Sequence, residues 1–173
     1  RMKVNVNANL PSKSEQIFFC HLTKSQLRIY EEFLNSDTVA NIMRGSGDIF
    51  AGISILRKIC NHPSIYNHEK YPKTPVLSCK LKLLMKILPE WHKAGHRALL
   101  FSQMLPMLDL VGEVLDSLGL DYFRMDGETP TEKRTYIMDH FNSGEKFCCV
   151  LSTKVGGLGV NLTGADRVII IDP

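Results

Sequence analysis

One stretch of the chain holds most of the residue types that could do chemistry. "LSTKVGGLGVNL", Leu151 to Leu162, sets Ser152, Thr153 and Lys154 ahead of Gly156, Gly157 and Gly159, with Asn161 after them. Hydroxyls, an ammonium group and a glycine turn with exposed amides at a helix start are the groups that hold phosphate. A nucleotide cradle of the GxxxxGK[ST] kind needs its lysine on the terminal phosphates and its hydroxyl on magnesium, and that string occurs nowhere in the sequence. A dinucleotide fingerprint needs GxGxxG after a first strand and an acid about 20 residues later. The chain offers only "GGLG" after a late strand, although Asp172 ends the next one. The plain structural alternative is a tight strand-to-helix turn, which such glycines make routinely.

The other candidate groups favour structural roles. Cys60, His62, His68 and Cys79 could ligate zinc, but their spacing matches no compact zinc motif, so His62 is expected to cap or pack. Asp126 and Glu128 in "MDGET" read as a turn around Gly127 ahead of a helix, not as an acid and base pair. Trp91 shares a helical face with Leu84 and Leu88 and is read as packing. The five cysteines include no CxxC pair, which argues against a disulfide framework and for reduced, mostly buried thiols. A net charge of +3 permits nucleic-acid binding without demanding it. No apolar run approaches the roughly 20 residues of a membrane span, and the first residues lack the apolar core of a secretory signal, so an intracellular chain with no membrane partner is expected.

These residues must be positioned by the elements that the hydrophobic pattern implies. "EQIFFCHL" reads as a short strand, and Thr23 with Gln26 forms a capping box for a helix carrying Leu27, Tyr30, Phe33 and Leu34. Asp48 opens a second helix with Ile49, Ile53, Leu56 and Ile59 or Cys60 along one face. Three prolines in "NHPSIYNHEKYPKTPVLS" mark a linker. From Ser78 onward, helices alternate with the strands "RALLF", "DYFRM", "FCCVLS" and "RVIIID", the signature of an α/β domain with a parallel sheet and helices on both faces. Pro89 predicts a kink or break near Lys86 to Leu88 in the first of these helices. The nearly continuous apolar run "VIIID" predicts a strand buried on both faces, and the chain's ending there suggests a fragment.

In order and spacing, "ALLFSQM", "YFRMDGETPTEKRTYIMDHFN" and "VLSTKVGGLGVNLTGADRVIIIDP" resemble motifs IV, IVa and V of the second RecA-like lobe of the SWI/SNF family of DNA-dependent ATPases, within helicase superfamily 2. "LTKSQLRIYEEFL" and "LRKICNHP" resemble the helical stretch that this family places between its lobes, and the sequence looks closest to the Cockayne syndrome group B subgroup. The resemblance implies residues 1–22 as an extended segment and strand ending a first lobe, 23–62 as a helical inter-lobe segment, 63–77 as a linker and 78–173 as an incomplete second lobe.

It also implies roles. Ser152 and Thr153 would hold a backbone phosphate of the tracked strand, with Ser102, Gln103, Arg134 and Lys154 as further DNA-facing residues, the alternative for Arg134 being a solvated helix face or a structural ion pair. Gly157, Gly159 and Asn161 would approach the nucleotide, with asparagine where related helicases carry aspartate. The implied parent is a nuclear, ATP- and Mg2+-dependent translocase on double-stranded DNA, working with a first RecA-like lobe; nucleosomes or RNA polymerase II are its candidate partners. Because the phosphate-binding lysine and the motif VI arginine belong outside this stretch, no catalytic residue and no tightly bound cofactor are expected in it. The rival readings are a stand-alone α/β enzyme that binds a small nucleotide or methyl donor through "GGLG", and a partner-binding module from an inactive motor.

Overall fold

A computed structural model describes residues 13–156 and 160–172. The α/β part holds four parallel strands, β1 (Ala98–Ser102), β2 (Tyr122–Met125), β3 (Cys148–Ser152) and β4 (Arg167–Ile170), in the order β2-β3-β1-β4. Helix α5 (Cys79–Lys93) precedes β1, and helices α6 (Leu105–Ser117) and α7 (Thr131–Asn142) and the single turn α8 (Thr153–Gly156) lie between the strands in sequence. The period-2 alternation of the strands sorts the core into two halves. Ala98, Leu100, Cys148 and Val150 face Leu84 and Leu88 of α5 and Leu108, Val111 and Leu115 of α6. Leu99, Cys149 and Leu151 face Ile137 and Phe141 of α7 and Val155 of α8. The sheet is therefore covered by helices on both faces.

Helices α1 (Lys24–Leu34), α2 (Asp37–Met43), α3 (Ile49–Asn61) and α4 (Pro63–Tyr66) precede it. The Thr23 and Gln26 capping box forms as expected, and Asp48 caps α3 by accepting from the amides of Phe50 and Ala51. Gln26 also holds the segment together. Its side chain is fully buried, donating to the carbonyls of Ile59 and Cys60 at 3.0 Å each and accepting from the Cys79 amide at 3.0 Å.

Several expectations are corrected. "EQIFFCHL" forms no strand, and Ile17, Phe18 and Phe19 are exposed, because no edge of this sheet pairs with them. The buried face of α1 is Gln26, Ile29 and Phe33, whereas Leu27 and Leu34 are exposed. α2 lacks a strong pattern and was not foreseen. Pro89 does not break α5, which runs unbroken from Cys79 to Lys93 with Leu81, Leu84 and Leu88 buried in the turns before the proline; packing outweighs the local cost. The linker is structured: α4 and a 3-10 turn at Pro75–Leu77 occupy it, and His62, Ser64 and Ser78 are buried. Finally, β4 is an edge strand with one covered face: Ile169 packs into the core, while Val168 and Ile170 are 57% and 59% exposed. These two sit across from Leu99 and Phe101, on the face where α7 and α8 do not reach as far as β4.

Candidate nucleic-acid interface

Because all four strands run parallel, their carboxyl ends open on one edge, the usual ligand side of such a sheet. Ser102 and Ser152 are direct neighbours in the β1–β3 register. Beyond them, Gln103 and Lys154 are exposed and Thr153 is half-buried, so the edge gathers most of the residues expected to meet DNA. Ser152 is 4% exposed, and its hydroxyl is the one buried side-chain polar atom among the described residues without a hydrogen-bond partner. An unpaired buried hydroxyl costs about 1–3 kcal/mol, and such a group calls for an explanation. α8 is a single turn of four residues, too short for a helix dipole to matter.

Ser102 departs from the expectation of a DNA-facing hydroxyl. It is fully buried and donates to Asp172 Oδ2 at 2.8 Å. Asp172, just past β4, is 4% exposed and gathers three donors: Ser102, Asn61 Nδ2 to Oδ2 at 3.1 Å, and the Gln103 amide to Oδ1 at 2.8 Å. Lys80 donates to Asn61 Oδ1 at 2.6 Å and to the Ile171 carbonyl at 2.8 Å. Burial pulls the Lys80 pKa below its ordinary value, and the Asp172 charge opposes that pull, so the two ions stabilise each other across the asparagine. On the solvent side, Arg57 donates to Gln103 Oε1 at 3.0 Å. Asn61, Lys80 and Arg57 had no sequence signal, since each acts through a contact distant in the chain.

Gly157 and Gly159 lie outside the described residues. Asn161 is exposed, and the segment after it is anchored from α7: Asn142 donates to the Asn161 carbonyl and accepts from the Gly164 amide, both at 2.9 Å. Arg97 completes the anchor. Its guanidinium lies 4.2 Å from the Phe141 ring centroid and donates to the carbonyls of Phe141, Lys146 and Gly164. An alanine at Gly164 would bring its Cβ within 2.7 Å of Arg97 Nη1 and 2.9 Å of Asn142 Cα, so this glycine permits the close approach.

Among the described residues Arg134 forms no ion pair but donates to the carbonyls of Thr129 at 2.7 Å and Gly127 at 3.3 Å across the "MDGET" turn. In that turn Asp126 accepts from the Glu128 amide at 3.1 Å and pairs with Arg124 at 3.1 Å, so the carboxylate is structural and its pKa is lowered: these contacts outweigh the opposing effect of burial. His62 both caps and packs. Nδ1 accepts from the Ser64 amide at 3.0 Å, and Nε2, 3.0 Å from the Thr74 carbonyl, must carry the proton. Burial lowers its pKa. Among the described residues no cluster of His, Cys, Asp or Glu could hold a metal ion. Trp91 packs on the core, with Arg167 over its ring.

Comparison with known proteins bears on what this edge is for. The helicase conserved C-terminal domain matches residues 79–173, and the SNF2-related domain matches residues 1–65. The whole chain is 45% identical to "DNA excision repair protein CSB" of Oryza sativa subsp. japonica and 43% identical to "DNA repair and recombination protein RAD26" of Saccharomyces cerevisiae. It spans only 15% and 17% of the length of these two proteins. The solved "Sulfolobus solfataricus SWI2/SNF2 ATPase core domain" superposes on 99% of the chain, using 36% of its own, with a TM-score of 0.79 at 29% identity. The same core "in complex with dsDNA" superposes on 88% of the chain, using 33% of its own, with a TM-score of 0.77 at 25% identity.

Proposed function

Since the chain belongs to the SWI/SNF family of DNA-dependent ATPases, as a piece carrying the second RecA-like lobe, we propose that it is the strand-gripping half of an ATP-driven translocase on double-stranded DNA, of the transcription-coupled repair or chromatin-remodelling type. The observation that carries this reading is the edge itself: the unpaired Ser152 hydroxyl stands beside Thr153, with Gln103 and Lys154 exposed around it. A hydroxyl, an amide and an ammonium are donors, suited to phosphate oxygens, and they would hold position on a duplex without reading its sequence. The solved core bound to duplex DNA supports the same assignment.

Gly157, Gly159 and Asn161 would face the nucleotide. The amide of Asn161 is uncharged and can both donate and accept, which fits a ribose hydroxyl. We assign phosphates and Mg2+ to a first lobe, and work in the nucleus beside a nucleosome or RNA polymerase II to the parent protein. With neither a GxxxxGK[ST] loop nor a motif VI arginine in its sequence, the 173-residue chain alone should not hydrolyse ATP, because each of those parts is worth orders of magnitude in rate.

The test is fluorescence anisotropy with a labelled duplex. Lys154→Ala should weaken binding about equally on unrelated sequences and lower the salt slope by about 1. Thr153→Val and Gln103→Ala should each weaken it further. A triple variant that binds duplex as the unaltered chain does would refute the reading.

A further inference from the structure

Gln103 is the exposed side chain at the end of β1, and it is held from two directions. Its amide is fixed by Asp172 Oδ1 at 2.8 Å, and its side-chain oxygen accepts from Arg57 Nη2 at 3.0 Å. Both contacts lead back to α3, where Arg57 and Asn61 stand four residues apart and so share one face. The amide of Asn61 has only one workable orientation. Its oxygen meets the Lys80 ammonium at 2.6 Å and its nitrogen meets the Asp172 carboxylate at 3.1 Å; reversing it would set donor against ammonium and oxygen against carboxylate. Ser78 then pins the end of α3 to the start of α5 by donating to the Asn61 carbonyl at 2.6 Å.

A buried ionic network of this kind contributes little net stability compared with an apolar core of equal volume, and its best-attested use is to fix geometry. This one ends on a solvent-exposed amide at the ligand edge. With the Gln103 oxygen engaged by Arg57, the Nε2 hydrogens are left to donate, and the natural acceptor is a phosphate oxygen.

We propose that Asp172 and Arg57 are the positioning residues of Gln103, fixing its main chain and its side chain so that Nε2 is presented to the phosphate backbone of a bound duplex. The helical segment thus prepares the DNA-facing edge of the α/β domain. The proposal rests on the duplex-binding reading for its ligand, but the positioning has a readout of its own.

Amide hydrogen exchange of the free 173-residue chain and anisotropy with a labelled duplex test the two parts separately. Asp172→Asn keeps the shape but turns one of two acceptors into a donor, and should speed exchange at the Gln103 amide by about tenfold while leaving Leu100 and Val150 protected. Arg57→Met and Gln103→Ala should each weaken duplex binding by roughly 3- to 10-fold, and the double variant should be no weaker than Gln103→Ala alone. A merely structural or independent Arg57 would instead give additive losses. Unchanged exchange at Gln103 in folded Asp172→Asn, or additivity in the double variant, overturns the proposal. If the unaltered chain binds no duplex, the DNA reading falls and exchange alone decides the positioning. If Asp172→Asn does not fold, the Gln103 side-chain amide resonance in Arg57→Met decides it: a shift supports the proposal and an unmoved signal overturns it.

Discussion

Replacing Arg97 by methionine should loosen the anchor of the segment around Gly164. The guanidinium makes bonds to three carbonyls: Phe141 at the end of α7, Lys146 before β3, and Gly164 before β4. Methionine keeps an apolar stem against the Phe141 ring and removes every one of these donors. A hydrogen bond from a charged group contributes about 1.5–3 kcal/mol, and the arginine–ring contact adds about 0.5–1 kcal/mol. These terms do not simply add on one side chain, and part of the lost bonding is regained by water, since the site is only half-buried. A net loss of about 2–4 kcal/mol follows, a large fraction of the roughly 5–15 kcal/mol of a typical domain. Urea unfolding of Arg97→Met should show a midpoint lowered by about 1–2 M with an unchanged slope. Exchange at the Gly164 amide, which donates to Asn142, should accelerate more than exchange at Val150 in the sheet. A midpoint moved by less than about 0.3 M would refute this account, because the three carbonyls would then be served as well by solvent.

Gly164→Ala should lose about 1–3 kcal/mol in the same unfolding assay, since the Arg97 side chain can yield but the Asn142 backbone cannot; no loss would mean the segment shifts freely. His62 is buried as the neutral form with its folded pKa lowered, so the unfolded chain takes up a proton first, near the ordinary value of 6.5. Its stabilising contribution is therefore complete above that pH and is lost as pH falls from there toward the lowered folded value. His62→Asn keeps an acceptor for the Ser64 amide without titrating, so the stability gap between the two chains should narrow on acidification from about pH 8 to about pH 5.5; a constant gap would count against it. Cys148 and Cys149 are fully buried, and burial pushes the Cys149 thiol up to about 12 and that of Cys148 further in the same direction. A thiol-titrating disulfide reagent should reach at most three of the five cysteines in native buffer and all five in denaturant; four or more in native buffer would show the core opening readily.

The elements legible in the sequence were those whose signals are local. The Thr23 and Gln26 box, the Asp48 cap and the alternation of strands and helices after Ser78 depend on residues within a few positions of one another, and all of them form. Local pattern misled where a distant partner decides the outcome. "EQIFFCHL" has the composition of a strand but no sheet edge to join. Leu27 and Leu34 look as apolar as Ile29, yet α3 packs on the side of Ile29 and Phe33. Pro89 should weaken α5 by its own chemistry, and the core beneath the helix overrides that cost. At the site, the strand ends that carry Gln103, Thr153 and Lys154 were legible because a parallel sheet fixes where strands terminate. The burial of Ser102 was not legible because its partner, Asp172, lies 70 residues away.

The same logic applies to the linker between the helical segment and the α/β domain. Prolines at 63, 72 and 75 and the surrounding polar residues have the composition of a flexible connection. In the fold, the polar residues of its two ends are among the best satisfied in the molecule. Asn61, His62, Ser64 and Ser78 are all buried, and each bonds to the segment itself, to α5 or to the carboxylate past β4. Buried polar groups with every partner in place rigidify a structure more selectively than apolar contacts, because a shift of one residue leaves several of them unpaired at about 1–3 kcal/mol each. The helical segment and the α/β domain should consequently move as one body. Ser152 is the exception among the buried polar residues described, and it stands at the edge where a phosphate oxygen could supply the missing partner. Fixed geometry at the junction and an unmet hydrogen bond at the edge are complementary, for a rigid frame can hold an unsatisfied donor open for a ligand only if the frame does not relax to satisfy it.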